Sequence, residues 1–361
     1  MPFLKAAASM LMAATLGHSR PPPPLQTKAA SAANHRPGQR NRQIPPANRR
    51  PADDIKASLD CRSLQLPIGP RPLRSDPMAA SDTGPTQDTA PDVALRLIVA
   101  SCRADLAKYR AVTLKSRRPI GIHQTRVALR RLRAAFTVFR PAVGGPKVRS
   151  LSAEAKWLAG ECAPARDLHV FLTESVEDVP PPVKRIAARL AATHLQRARA
   201  ALSGARFAAF ERDLASFAAD KPAVAGGRLD EFGRRVLDGR HAKVLRRGRG
   251  LAELDEERLH RLRIAIKKLR YAATYLAPAF APKDAKPYIE ATVRLQGALG
   301  ALNDRATARR MLADLATAAR PTEDVAGALK VLARQAASGA KRRRRKLERT
   351  WKEFRKAGRF W

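Results

Sequence analysis

The stretch "IHQTRVALRRLR", Ile122–Arg133, places His123 ahead of Arg126, Arg130 and Arg133. A second stretch, "LHRLRIAIKKLR" at Leu259–Arg270, places His260, Arg263, Lys267 and Arg270 at the same spacings, 137 residues later. On a helix turning about 100° per residue, Arg126, Arg130 and Arg133 fall at about 300°, 340° and 280° from His123. Leu129, Leu132, Phe136 and Phe139 fall at about 240°, 180°, 220° and 160°. A basic stripe therefore runs beside an apolar stripe on one amphipathic helix. Leu269 and Leu276 carry the apolar stripe of the second helix.

The 137-residue offset extends beyond these helices. It relates Pro141 to Pro278, Leu158 to Leu295, Gly160 to Gly297 and Asp167 to Asp304, so His and Asp are 44 apart in both stretches. A spacing shared across a helix, a loop and another helix indicates two copies of one unit, each too long for a solenoid repeat. The copies run from about 90 to 220 and from about 228 to 361. Ala, Leu and Arg dominate both and favour helix, and no segment alternates with the period of a strand. The expected fold is all-α: two pseudo-symmetric helical bundles from an internal duplication. Breaks are expected at Pro119–Gly121, Pro141 with Gly144-Gly145-Pro146, Pro164, Pro180–Pro182, Pro222–Gly227, Pro278, Pro282, Pro287 and Pro321. They predict eight or nine helices. Asp255, ahead of Glu256 and Glu257, is a predicted N-cap.

The chain has 361 residues, with 70 Lys and Arg against 32 Asp and Glu, a formal net charge of +38. Residues 1–90 hold only 12 of the basic and 6 of the acidic side chains. The excess belongs to the helical part, where its self-repulsion calls for a polyanionic partner. Three widely separated cysteines, Cys61, Cys102 and Cys162, without a CxxC or His/Cys cluster, point to a reduced, cytoplasmic chain with no structural metal site. No apolar run approaches the roughly 18 residues of a membrane span.

Residues 1–88 differ in kind. "RPPPPL", "RPGQRNRQIPPANRRP" and "LPIGPRPLRSDP" lack apolar periodicity, so the segment is expected to be disordered. Its start, "MPFLKAAASMLMAATLGHS", leaves two alternatives open: a targeting segment, or an untranslated stretch with the true start at Met78. Residues 89–361 form the expected folded domain.

A row of cations about 15 Å long, ten residues of helix, suits a linear repeating anion. Arginine grips phosphate oxygens with two donors, and neutral histidine donates one N–H. A solvated face is the bland alternative. Like charges at these spacings destabilise a helix, however, and here they recur in both copies. Metal binding is disfavoured, since cations crowd each histidine and no carboxylate or second His stands four residues on.

The motifs "HQTRVALRRLRAAF" and "HRLRIAIKKLRYAA" resemble those of the CHAD family, the conserved-histidine α-helical domain. "LAGECAPARDLHVF", with Arg166-Asp167, and "LQGALGALNDRATA", with Asn303-Asp304, resemble the family's later element. The resemblance covers about residues 90–356. It implies binding of inorganic polyphosphate on a basic surface, in some members at polyphosphate granules; with no phosphate loop or carboxylate cluster in the chain, the expected role is non-catalytic. The implied binding residues are His123, Arg126, Arg130, Arg133, His260, Arg263, Lys267 and Arg270. Two departures stand out. Cys162-Ala163 replaces the Leu299-Gly300 of the second copy, which suggests a different turn there, and the ExExK motif of the triphosphatase module found in many relatives is absent.

Further candidates follow from the same offset or from its neighbours. Arg149 and Lys286 match each other at the start of the following helix and, with Arg197, Arg199, Lys341 and Arg343, are further candidates for anion binding. "KRRRRKLERTWKEF" resembles "HLQRARAALSGARFAAF", which pairs Arg197 and Arg199 with Lys341 and Arg343, and Phe207 and Phe210 with Trp351 and Phe354 as core. Asp167 and Asp304 either orient the stripes or stabilise a helix N-terminus. His18, His35, His169, His194 and His241 receive no role. No cofactor is expected. Non-specific nucleic-acid binding in vitro follows from the charge, and a nucleic-acid-binding basic protein is the alternative function. Single-strand binders add stacking aromatics, and the stripes offer only Tyr271. A phosphoanhydride-processing enzyme is the remaining alternative, without the phosphate loop or carboxylate cluster such chemistry uses. Oligomeric state and preferred chain length are left open.

Overall fold

The computed structural model describes residues 84–220, 226–321 and 323–361, except for the side chains of Glu174, Pro282, Asn303 and Arg305. The expected disorder of 1–88 and the alternative start at Met78 therefore fall mostly outside the described residues. At the boundary, Pro85 is buried. The Gln87 carbonyl accepts from Leu229 N–H at 2.9 Å, and Asp88 pairs with Arg228. The folded part thus begins by residue 85 rather than at 89.

Ten α-helices and no strand occur among the described residues. The first five are α1 (Pro91–Lys115), α2 (Pro119–Phe139), α3 (Pro146–Val170), α4 (Pro181–Ser203) and α5 (Ala205–Ala219). A π-helical turn, Phe171–Ser175, extends α3. Then come α6 (Leu229–Arg247), α7 (Glu256–Leu276), α8 (Pro282–Ala318), α9 (Ala326–Ala337) and α10 (Ala340–Lys356). The two stripe helices, α2 and α7, are 21 residues each and begin 137 apart. Elsewhere lengths diverge: α3 has 25 residues and α8 has 37, α4 has 23 and α9 has 12.

Proline places helix starts more often than it breaks helices. Pro91, Pro119, Pro146, Pro181 and Pro282 each open a helix, where the missing N–H would have had no intrahelical partner. Two expected breaks are corrected. Pro164 lies inside α3 and Pro287 inside α8, so each pair of anticipated short helices is one long one. The turn expected to differ at Cys162-Ala163 is likewise absent, since both copies of that position are helical. Asp255 caps α7 as expected, its Oδ1 accepting from Arg258 N–H at 2.7 Å.

The apolar stripe of α2 is buried, with Leu129, Leu132, Phe136 and Phe139 at most 3% exposed. Leu269, Leu276, Phe207, Phe210, Trp351 and Phe354 are buried as well. The main core does not divide between the two halves of the chain: Phe139 of α2 stacks on Phe232 of α6 at 5.5 Å. A second core joins the end of α3, the π turn and α4 to the end of α8 and α9, through Leu168, Phe171, Ile186, Met311, Leu315 and Leu332. Within the halves, α1 packs on α2 and α2 on α3, as α6 packs on α7 and α7 on α8. Between them, α2 packs directly on α7. That contact brings the two basic stripes together.

Candidate functional site

Burial of the apolar faces of α2 and α7 leaves their basic stripes beside the seam between the helices. Arg130 and Arg133 of α2 are exposed, and Arg263 and Lys267 of α7 are half-buried. Arg270 is buried at 8% exposure, with its guanidinium 4.8 Å from the Tyr271 ring centroid. The Arg270 Nε has no hydrogen-bond partner. Across the seam, the Tyr275 hydroxyl donates to the Arg131 carbonyl at 2.8 Å and fixes the register of the two helices.

Electrostatics show how close the stripes come. Burial, then Arg263, Arg130 and Arg133, draws the Lys267 ammonium down to about 8. Burial also lowers Arg270, with Arg130 of the other helix adding to the effect. Arg130, Arg133, Arg263, Lys267 and Arg270 thus form one cationic cluster from two helices. None of the five makes an ion pair with a carboxylate among the described residues. Removing cations from water while they repel one another is costly.

At the other end of the α2 stripe the environment differs. Arg166 Nε of α3 donates to His123 Nδ1 at 2.7 Å. The Nδ1 lone pair is therefore used, and Nε2 carries the imidazole proton as a donor. Burial, then Arg166, Arg130, His169 and Arg126, holds His123 down at about 4. His169, one turn beyond Arg166 on α3, is held at about 4 by burial and Arg166. His260, the counterpart of His123, is exposed. The two histidines share a sequence position but not an environment.

Arg126 donates to the Ala159 carbonyl at 3.4 Å. This is the neighbour of the Gly160 carbonyl, which Pro164 deprives of its helical N–H. Arg126 also pairs with Asp167 at 3.5 Å, and Asp167 reaches Arg310 of α8 at 3.4 Å. Asp167 lies near the end of α3 and Asp304 within α8, so neither stabilises a helix N-terminus. Asp167 instead orients the stripe, tying α2, α3 and α8 at one point.

The further candidates do not join the cluster as a group. Arg197 forms a two-pronged pair with Glu161, at 2.5 and 2.9 Å. Arg199 donates to the Thr113 and Ser116 carbonyls and closes the end of α1. Both are employed inside the fold rather than presented to an anion. Arg343 donates to the Ala337 carbonyl at 3.4 Å. Arg149, Lys286 and Lys341 are exposed.

Sequence reasoning missed His169 and Arg310. The three-residue spacing from Arg166 to His169 puts them on one helix face and was the available signal for the first. Arg310 had none, because its role depends on how α8 crosses α3. Among the described residues, no group of three or more His, Cys, Asp or Glu side chains is arranged to hold a metal ion. No helix there is long and apolar enough to cross a membrane.

An all-helical fold among the described residues, with a cationic stripe on each of two helices that pack together, defines a class of basic helical domains. The CHAD domain model matches residues 97–313, more than half of the chain, and the protein belongs to the CHAD domain family. A crystal structure of the CHAD domain from the plant Ricinus communis is similar with a TM-score of 0.69 and 24% identity, over 78% of this chain and 96% of that one. PptA from Streptomyces chartreusis is similar with a TM-score of 0.50 and 15% identity, over 74% of this chain and 98% of that one. No curated protein matches the chain.

Proposed function

We propose that this protein binds inorganic polyphosphate, without turning it over, in the seam between α2 and α7, and that it associates with polyphosphate granules in the cytoplasm. One observation carries the reading. Arg130, Arg133, Arg263, Lys267 and Arg270 converge from two helices with no carboxylate paired to them. A flexible chain of phosphoryl groups follows such a row, each group receiving charge-assisted bonds from an arginine fork. His123 adds a neutral Nε2–H donor at one end, oriented by Arg166. A long chain occupies both stripes and gains effective concentration at the second, so it outcompetes short chains.

The test is competition at physiological salt between labelled long-chain polyphosphate and either DNA or tripolyphosphate. Replacing Arg130, Arg133 and Arg263 with alanine should weaken long-chain binding by at least about 100-fold, since a hydrogen bond to a charged group contributes about 1.5–3 kcal/mol. Replacing Lys184, Arg185, Lys330 and Arg334, which are exposed and outside the seam, controls for net charge. Equal loss in both variants, or displacement by DNA at equal phosphate concentration, defeats the proposal. Incubation with Mg²⁺ and polyphosphate should release no phosphate.

A further inference from the structure

Helix α7 carries a second cationic face, centred roughly 130° round the helix from the His260–Arg270 stripe. It borders a pocket of ≈ 470 Å³ between α6, α7 and the end of α2. The pocket is lined by Arg240, Lys243 and Arg247 from α6, by Arg261 and Lys268 from α7, and by Thr137. Arg240 donates to the Lys268 carbonyl at 3.1 Å and to the Thr137 carbonyl at 2.9 Å. Arg247 donates to the Arg261 carbonyl at 2.8 Å. Backbone carbonyls fix these guanidinium groups without neutralising them. Among the described residues the one carboxylate paired with a lining cation is Glu257, 2.8 Å from Arg261 on the same helix.

In the first half of the chain the cations at the matching positions are paired with carboxylates. The residues 137 positions before Arg240 and Lys268 are Arg103 and Arg131. Arg103 pairs with Glu211 at 2.8 Å and Arg131 with Asp105 at 2.5 Å. The position matching Asp105 is Ala242, so the second half has no carboxylate there. Burial, with Arg240, Lys243 and Arg247 close by, holds the Lys268 ammonium below the usual lysine range. Such a group gains from an incoming anion.

We infer that the pocket between α2, α6 and α7 is a second anion site, separate from the seam, that takes a compact oligophosphate. Its concave shape and size suit a small ligand rather than a long polymer. Its two carbonyl-held arginines match tetrahedral phosphoryl groups, and Lys243 and Lys268 supply adjustable point charges. The inference does not rest on polyphosphate binding in the seam.

Lysine acylation of the full chain, read by peptide mass spectrometry during titration with tripolyphosphate at physiological salt, tests it. Lys243 and Lys268 should acylate about tenfold more slowly at nine-tenths occupancy, while exposed Lys330 on α9 should be little affected. The protection should persist in Arg130→Ala/Arg133→Ala, whose loss of long-chain affinity reports on the seam alone. Protection of Lys243 and Lys268 no greater than that of Lys330, or its loss in the seam variant, overturns the inference.

Discussion

Lys267 offers the sharpest test of how the seam recognises an anion. Its ammonium is held at about 8 by burial and by the arginines around it: Arg263 on its own helix, Arg130 and Arg133 on α2, with Lys268 adding less. A bound polyanion offsets those charges and returns Lys267 toward its ordinary value of 10.5. Below about pH 7 the group is protonated in both the free and bound states and contributes little pH dependence. Between 8 and the bound value the free protein has lost a proton that the complex holds, so affinity falls as pH rises. At pH 9 about nine-tenths of the free protein has neutral Lys267, and binding takes up ~0.9 proton with roughly tenfold weaker affinity than at pH 7. Calorimetry with long-chain polyphosphate at pH 9, in two buffers of different ionisation enthalpy, counts the protons. Lys267→Arg keeps its charge throughout the range and should abolish the uptake. Uptake below ~0.2 proton in the unaltered protein, or equal uptake in the arginine variant, refutes the arrangement proposed for the seam.

Acid should destabilise the fold through His123 and His169. Both are held at about 4 against an ordinary 6.5, so the unfolded chain protonates first. The stability they contribute is complete above 6.5 and declines as pH falls from 6.5 to 4. Thermal melts across that window should show the decline, and His123→Gln/His169→Gln should flatten it. Gly121→Ala should destabilise by more than 1 kcal/mol although alanine is the better helix former. The new Cβ would lie 2.9 Å from the Thr113 backbone nitrogen, where α1 crosses α2; a denaturant midpoint at or above that of the unaltered protein contradicts this packing. Asp255→Ala removes the cap of α7 and should cost about 1 kcal/mol by urea unfolding, and Asp255→Asn should restore most of it.

The helical class, the start of α7 at its aspartate cap and the burial of Leu129, Leu132, Phe136 and Phe139 were legible in the chain itself, because they follow from periodicity and local capping. So was the correspondence of α2 and α7. The prolines do not all act alike. Pro164 and Pro287 look like the other breaks in sequence, yet packing along α3 and α8 outweighs the hydrogen bond each one removes. The charged residues depended most on tertiary structure. Arg126 and Arg130 stand on one stripe, but only the crossing of α3 gives the first Asp167 and leaves the second free of such a pair. His123 and His260 occupy matched positions, and only Arg166 together with burial sets them apart. Helical spacing is a local property of the chain and survives any packing arrangement. Which cation meets a carboxylate, a carbonyl or another cation depends on contacts between helices dozens of residues apart, and for the two stripes the contact of α2 with α7 decided it.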